Sequence, residues 1–234
     1  MHNKYFNYFL DCIFPEFCLG CNQEGNLVCS SCFKNNPLGG LFCCPVCHHT
    51  TPHGRVCEIC QATASISQII ALTTYNEESV FGQLIRNFKY SFSESAKKII
   101  AEYIDEANEI IQTISSSTIH YIIPVPLHRR RQAERGFNQA DTIAEVVSRK
   151  IMIPKISALV RERATKQQAT LSREERKNNV KNAFTLCSSK FDLQDRICLL
   201  VDDVYTTGST MGECATVLRA AGAKDVIGFT LARG

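Results

Sequence analysis

The chain has 234 residues and a mass of 26.2 kDa, with 44% apolar residues and a formal net charge of +3. That apolar content excludes a disordered chain, and no apolar run approaches the ~18 to 20 residues of a membrane span. The N-terminal aromatic cluster (Tyr5, Phe6, Tyr8, Phe9) is interrupted by Asp11 and lacks a basic lead and a small-residue cleavage site. The expectation is no signal peptide, no membrane span and a cytoplasmic location.

The cysteines divide the chain. Ten of the 13 precede residue 61, and Cys187, Cys198 and Cys214 stand singly. A cysteine-rich head over 1–65 and a body over 66–234 are expected, the body large enough for an ordinary core. In a reducing compartment such a cluster reads as a metal site before a disulfide scaffold. Its pattern is Cys18-x-x-Cys21, Cys29-x-x-Cys32, Cys44-x-x-Cys47 and Cys57-x-x-Cys60. Two intervening residues let both thiolates turn onto one ion, and two such pairs complete a tetrahedral four-sulfur site that suits zinc. Two closed, structural zinc sites are therefore predicted, with no coordination position left for a substrate water. They would let a short head fold with little core.

Sequential pairing is preferred because each set is compact; a crossed scheme through the first and third pairs is the alternative. Cys43 adjoins Cys44 and could replace it. His48, His49 and His53 are read as free surface histidines, and Cys12, Cys198 and Cys214 as small core residues. Only Lys4, Lys34 and Arg55 are basic in the first 60 residues, so the head has no electrostatic footprint for DNA.

The body alternates strands with helices. Gln68–Tyr75 is β-branched and short, a strand. Glu78–Lys89 has helical spacing through Val80, Phe81, Leu84, Ile85 and Phe88. Ser93–Ile114 reads as one long helix with Ser93 as N-cap. Ile119–Val125 is a strand that stops at Pro124-x-Pro126. Asn138–Ile151 returns to helical spacing. Residues 161–181 are polar and charged and read as a mobile loop or a solvated helix. Arg196–Val201 is an apolar run suited to a strand buried on both faces. Ser209–Ala221 is a helix closed by Gly222, and Asp225–Leu231 a last strand. The class is α/β with a mostly parallel sheet.

Charge is uneven along this body. Residues 121–181 hold 14 Lys+Arg against 6 Asp+Glu, a local +8 that leaves −5 for the remainder. A basic band of this kind suggests a phosphate ligand or nucleic acid; the bland alternative is a solvated face.

The most informative segment is LLVDDVYTTGSTM, residues 199–211. A buried strand delivers two carboxylates to the sheet edge, and hydroxyls with one glycine then open a helix. Ligands of open α/β sheets sit at such strand ends. The loop offers N–H groups and a positive dipole end to a phosphate, and Gly208 allows close backbone approach. Two carboxylates beside a phosphate would repel it unless they bind ribose hydroxyls or magnesium. The ligand written by this spacing is a sugar phosphate with vicinal hydroxyls. No Walker or dinucleotide motif is present.

This segment resembles the phosphoribosyl pyrophosphate (PRPP) motif of type I phosphoribosyltransferases. PVPLHRRR (124–131), RGFNQA (135–140) and Arg161, Thr165, Gln168, Leu171, Arg176, Asn179 and Phe184 narrow the likeness. With the cysteine head, the chain resembles the ComF family over nearly its whole length. The resemblance implies a double zinc ribbon joined to a phosphoribosyltransferase-like domain, with a link to natural transformation. Asp202 and Asp203 would contact ribose hydroxyls, and Thr206, Thr207, Gly208, Ser209 and Thr210 the 5′-phosphate. Val125, Pro126 and Leu127 would lie at the pyrophosphate. Residues 161–181 would match the loop that closes over PRPP, with Arg161, Arg163 and Arg176 reaching pyrophosphate.

Two functions compete. A transferase would pass phosphoribosyl from magnesium-bound PRPP to a nitrogen acceptor, which no residue identifies. A binding protein would hold PRPP and contact internalised single-stranded DNA through Arg129, Arg130, Arg131 and Arg135, alongside other DNA-uptake proteins. Phe137, beside these arginines, is read as a core anchor rather than a base-stacking residue. The binding reading is favoured.

Overall fold

The computed structural model describes residues 15–36, 38–90, 93–115, 118–163, 179–187 and 191–234. Cys12, the aromatic cluster, Thr165, Gln168, Leu171, Arg176 and most of the 161–181 loop lie outside the described residues.

Among the described residues, five strands form the main sheet in the order β1 (Leu41–Phe42), β2 (Gln68–Thr74), β7 (Asp225–Arg233), β6 (Ile197–Tyr205), β3 (Tyr121–Pro124). All pairs are parallel except β1 with β2, where Leu41 faces Ala71 and Phe42 faces Ile70. A separate antiparallel ribbon joins β4 (Leu159–Arg161) to β5 (Phe184–Leu186). The expected α/β class with a mostly parallel sheet is therefore observed.

Alternation along β6 explains the layers. Leu199 and Val201 enter one core with Ile70, Leu72, Ile227 and Phe229. Cys198 and Leu200 enter the other with Ile69, Ile123 and Val226. Helices cover both faces, as a buried parallel sheet requires. On the first lie α2 (Val80–Tyr90), α3 (Glu94–Glu106), α4 (Asn108–Ser115) and α6 (Gln139–Ile151). On the second lies α7 (Ser209–Ala220), through Met211, Cys214, Ala215 and Leu218. Cys198 and Cys214 are fully buried, as expected of core residues.

Four differences from the sequence reading have identifiable physical causes. The single helix expected over 93–114 breaks at Ala107, although Ser93 caps it, accepting from the Ala96 N–H at 3.1 Å. Lys150 of α6 takes the Asp105 carbonyl at 2.7 Å, which an unbroken helix would offer to the N–H at 109. The strand expected to stop at Val201 runs to Tyr205, carried by pairing with β7 from Asp202↔Thr230 to Tyr205↔Arg233. Arg129–Arg135 forms a short helix, α5. It is started by the His128 side chain accepting from the Arg130 N–H at 3.3 Å and ended by Gly136 at φ 72°. His48 is not a free surface histidine: its Nδ1 lies 2.6 Å from the buried Arg233 guanidinium.

The head packs on this frame. β1 extends the sheet, and Gly54 at φ +72° leaves no room for a Cβ, which would stand 2.0 Å from the Ile69 carbonyl. Phe33 of α1 (Ser30–Lys34) stacks on Tyr103 of α3 with ring centroids 4.1 Å apart. Among the described residues no helix is long and apolar enough to cross a membrane.

Candidate functional site

A cleft of about 480 Å³ opens at the carboxyl ends of β6 and β3. Asp202 and Asp203, near the end of β6, line it, followed by Thr206, Gly208, Ser209 and Thr210. Gly208 adopts φ 73°, a left-handed conformation at which α7 begins. The first-turn N–H groups of α7 and the nearby hydroxyls thus converge on one end of the cleft. Thr207 turns away and lines a second hollow behind the loop, where its Oγ1 stands 2.8 Å from the Ser209 Oγ.

The opposite wall is the turn Val125–Pro126–Leu127, joined by Arg131, Arg135 and Arg161. Two residues of the RGFNQ segment brace that wall. Asn138 donates to the Val125 carbonyl at 3.0 Å and caps α6 by accepting from the Ala140 N–H at 3.2 Å. The buried Gln139 accepts from Arg135 at 3.2 Å and donates to the Lys89 carbonyl at 3.3 Å. Phe137 packs against Phe88 with centroids 5.4 Å apart, matching the core-anchor expectation. Arg163 is exposed and donates to the carbonyls of Asn179 and Lys181 at 3.0 and 2.7 Å, and it is not among the residues lining the cleft. Arg129 and Arg130 also point away, and Arg130 forms an exposed ion pair with Glu134.

The eight head cysteines fall into two groups, Cys18/Cys21/Cys29/Cys32 and Cys44/Cys47/Cys57/Cys60, each with all sulfurs within 4.8 Å. These are the sequential sets. Cys43 belongs to neither, and the described cysteines are free thiols. The pairs meet at 3.7 Å, Cys21 Sγ to Cys29 Sγ and Cys47 Sγ to Cys57 Sγ. A zinc tetrahedron with Zn–S bonds of about 2.3 Å has edges of about 3.8 Å. Burial raises the Cys18 and Cys44 thiols, but backbone N–H donors prevail and bring each down to about 6. Cys32 and Cys60 are pushed up to about 12, chiefly by Cys29 and Cys57. Four thiols this close cannot all ionise without a cation between them, so both groups fit a metal ion such as zinc.

Comparison with known proteins agrees with this geometry. A family model described as "Phosphoribosyl transferase domain" matches residues 138–234. Competence protein F of Haemophilus influenzae is 45% identical over 113 residues, 48% of this chain and 49% of that one, so this match spans about half the relative. DNA utilization protein YhgH of Shigella flexneri is 34% identical over 229 residues, 94% of this chain and 97% of its own. Competence protein ComFC of Streptococcus pneumoniae is 26% identical over 214 residues, 90% of each.

The chain belongs to the ComF family.

Electrostatics in this ComF cleft centre on the acidic pair. Burial and the neighbouring Asp203 charge raise Asp202 to about 7, although the Asp203 N–H (2.9 Å), Lys89 and Arg161 pull the other way. Lys89 forms an ion pair with Asp203 at 3.2 Å, with side chains only 20% and 14% exposed. Burial alone would lower Lys89, but Asp203, together with Asp202 and Tyr75, more than offsets it and the ammonium is held above its ordinary range. Burial, then the charge of Arg131, lowers Arg161, which lies with its guanidinium 5.2 Å from the Phe184 ring.

Lys89 was not singled out in the sequence, nor were Tyr75, Arg86 and Tyr90, which also line the ComF cleft. Lys89 and Tyr90 end α2, where a lysine ordinarily answers the helix dipole. No local signal separates that role from a partner 114 positions away in sequence.

Proposed function

We propose that this ComF-family chain acts in DNA uptake and use, with PRPP or a related ribose phosphate bound in the cleft and single-stranded DNA contacted by the basic band. The observation that carries the ligand is the convergence of Asp202, Asp203, the Thr206–Thr210 loop, the Val125–Leu127 turn and Arg161 in one cleft. Asp202 and Asp203 hold the ribose hydroxyls. Thr206, Gly208, Ser209 and Thr210 cradle the 5′-phosphate, and Thr207 orients the Ser209 hydroxyl. Arg161 and the Val125–Leu127 turn face the pyrophosphate. Magnesium bound with PRPP would neutralise phosphate charge next to the acidic pair, in keeping with its preference for few carboxylates plus phosphate oxygens. The names of the relatives support the DNA role. The metal-binding head, residues 1–65, serves as scaffold to the body, residues 66–234. Other DNA-uptake proteins are the expected macromolecular partners, and the cytoplasm the expected compartment.

Titration calorimetry with PRPP and magnesium tests the ligand. Asp202→Asn and Asp203→Asn should each weaken binding by about tenfold or more, the worth of a hydrogen bond to a charged group. No heat from the wild-type chain would remove the proposal. A pyrophosphate-release assay with a panel of nitrogen acceptors distinguishes binding from transfer: turnover with any acceptor would favour the transferase reading.

A further inference from the structure

We propose that the second four-cysteine knuckle positions the phosphate-binding loop through Tyr205, so that metal at Cys44, Cys47, Cys57 and Cys60 and ribose phosphate in the cleft favour each other. The ligand half of this coupling rests on the proposed function; the structural half does not.

The contacts run in an unbroken line. β6 and β7 end side by side, with Tyr205 opposite Arg233 in the sheet register. Both side chains are buried, each 3% exposed. The Tyr205 hydroxyl donates to the Pro45 carbonyl at 2.8 Å. The Arg233 guanidinium, 5.1 Å from the Tyr205 ring centroid, donates to the carbonyls of Cys43 and Cys44 at 3.2 and 3.1 Å and meets the His48 ring at 2.6 Å. Burying a guanidinium and a phenol is unfavourable unless such partners are in place. All of these partners belong to residues 43–48, the turn that brings Cys44 and Cys47 to one metal ion. That turn is closed by the Cys44 N–H donating to the His49 carbonyl at 2.8 Å.

The hydroxyl end of Tyr205 also supports the loop. A Cβ at Gly208 would stand 2.1 Å from the Tyr205 hydroxyl oxygen, so the loop backbone lies directly on the phenol. The hollow behind the loop is lined by Pro45 and Val46 on one side and Thr207, Gly208 and Ser209 on the other. One phenol thus separates a metal knuckle from the anion-binding turn. Without metal, residues 43–48 lose the constraint that aims their carbonyls, and the support beneath Gly208 goes with it. The first cysteine group sits elsewhere, its helix α1 stacked on Tyr103 through Phe33. The coupling is therefore specific to the second group, and it is reciprocal because it is a binding free energy.

Tyr205→Phe tests this positioning role because it keeps the ring and removes one hydroxyl. Amide hydrogen exchange in residues 205–211 should quicken about fivefold, and ribose 5-phosphate should bind about fivefold more weakly, the worth of one neutral hydrogen bond. Zinc content and exchange in β2 and α3 should stay at wild-type levels. The double variant Cys47→Ser/Cys57→Ser, holding zinc only at the first group, should show the same local quickening. If it fails to fold, Tyr205→Phe alone decides. Unchanged exchange at 205–211, or quickening spread evenly over the chain, overturns the coupling. If the wild type binds no ribose 5-phosphate, the ligand reading fails and the exchange data still decide the structural link.

Discussion

At the residue scale, Asp202 sets its proposed ligand role against stability. Its carboxyl is raised from 3.8 to about 7 by burial and by Asp203. A carboxyl raised in the fold contributes stability that is complete below its unfolded value and is lost as pH rises through the folded value. The wild-type melting temperature should therefore fall between pH 5 and pH 8, and that of Asp202→Asn should fall less. Thermal denaturation of both at the two pH values checks this, and parallel curves would contradict it. The acidic pair was legible in the sequence because adjacent carboxylates at the end of an apolar run are conspicuous. Its counter-ion was not, because Lys89 comes from a distant helix and only the packing of α2 against β6 makes them neighbours.

At the scale of elements, hydrophobic periodicity located α2 and α6 because each commits a face to a core, and β-branched composition located β2, which is buried on both faces. The apolar pattern stopped β6 too early because carboxylates are poor strand residues and only the β7 partner extends the ladder through Asp202. It passed over α5 because Arg129–Arg135 buries no residue and its start and stop come from His128 and Gly136. That helix is where the DNA proposal is tested, since Arg131 and Arg135 face the cleft while Arg129 and Arg130 face outward. Replacing all four arginines with alanine should lower the slope of log affinity against log salt for single-stranded DNA by up to about 3. Binding measured from 50 to 200 mM salt gives that slope, and salt-insensitive binding would remove the DNA contact. The start of α7 gives a second prediction at this scale. Gly208→Ala places a Cβ at φ 73° against Tyr205 and should cost about 1–3 kcal/mol in urea unfolding, with loss of ribose-phosphate binding. A wild-type midpoint would show that the turn tolerates a side chain.

At the scale of the whole molecule, the head and body share a sheet, a stacked aromatic pair and the Arg233 network. Metal removal should therefore reach beyond the head. Elemental analysis should find about two zinc ions per chain. A strong chelator should lower the melting temperature of the entire chain and not of a separate early transition. Metal near zero with oxidised thiols, or an unchanged main transition, would contradict this. The sequence by itself determined the parts whose causes are local: four Cys-x-x-Cys pairs, enough for two four-sulfur sites, an α/β body from alternating strand and helix patterns, and a strand–loop–helix segment with carboxylates, hydroxyls and glycine in fixed order. Only the tertiary structure decided what those parts meet. Lys89 on Asp203, Asn138 on Val125 and Pro45 on Tyr205 pair residues far apart in the chain. Short contacts of that kind follow from which helix covers which face and from where the head docks, and no local pattern encodes either.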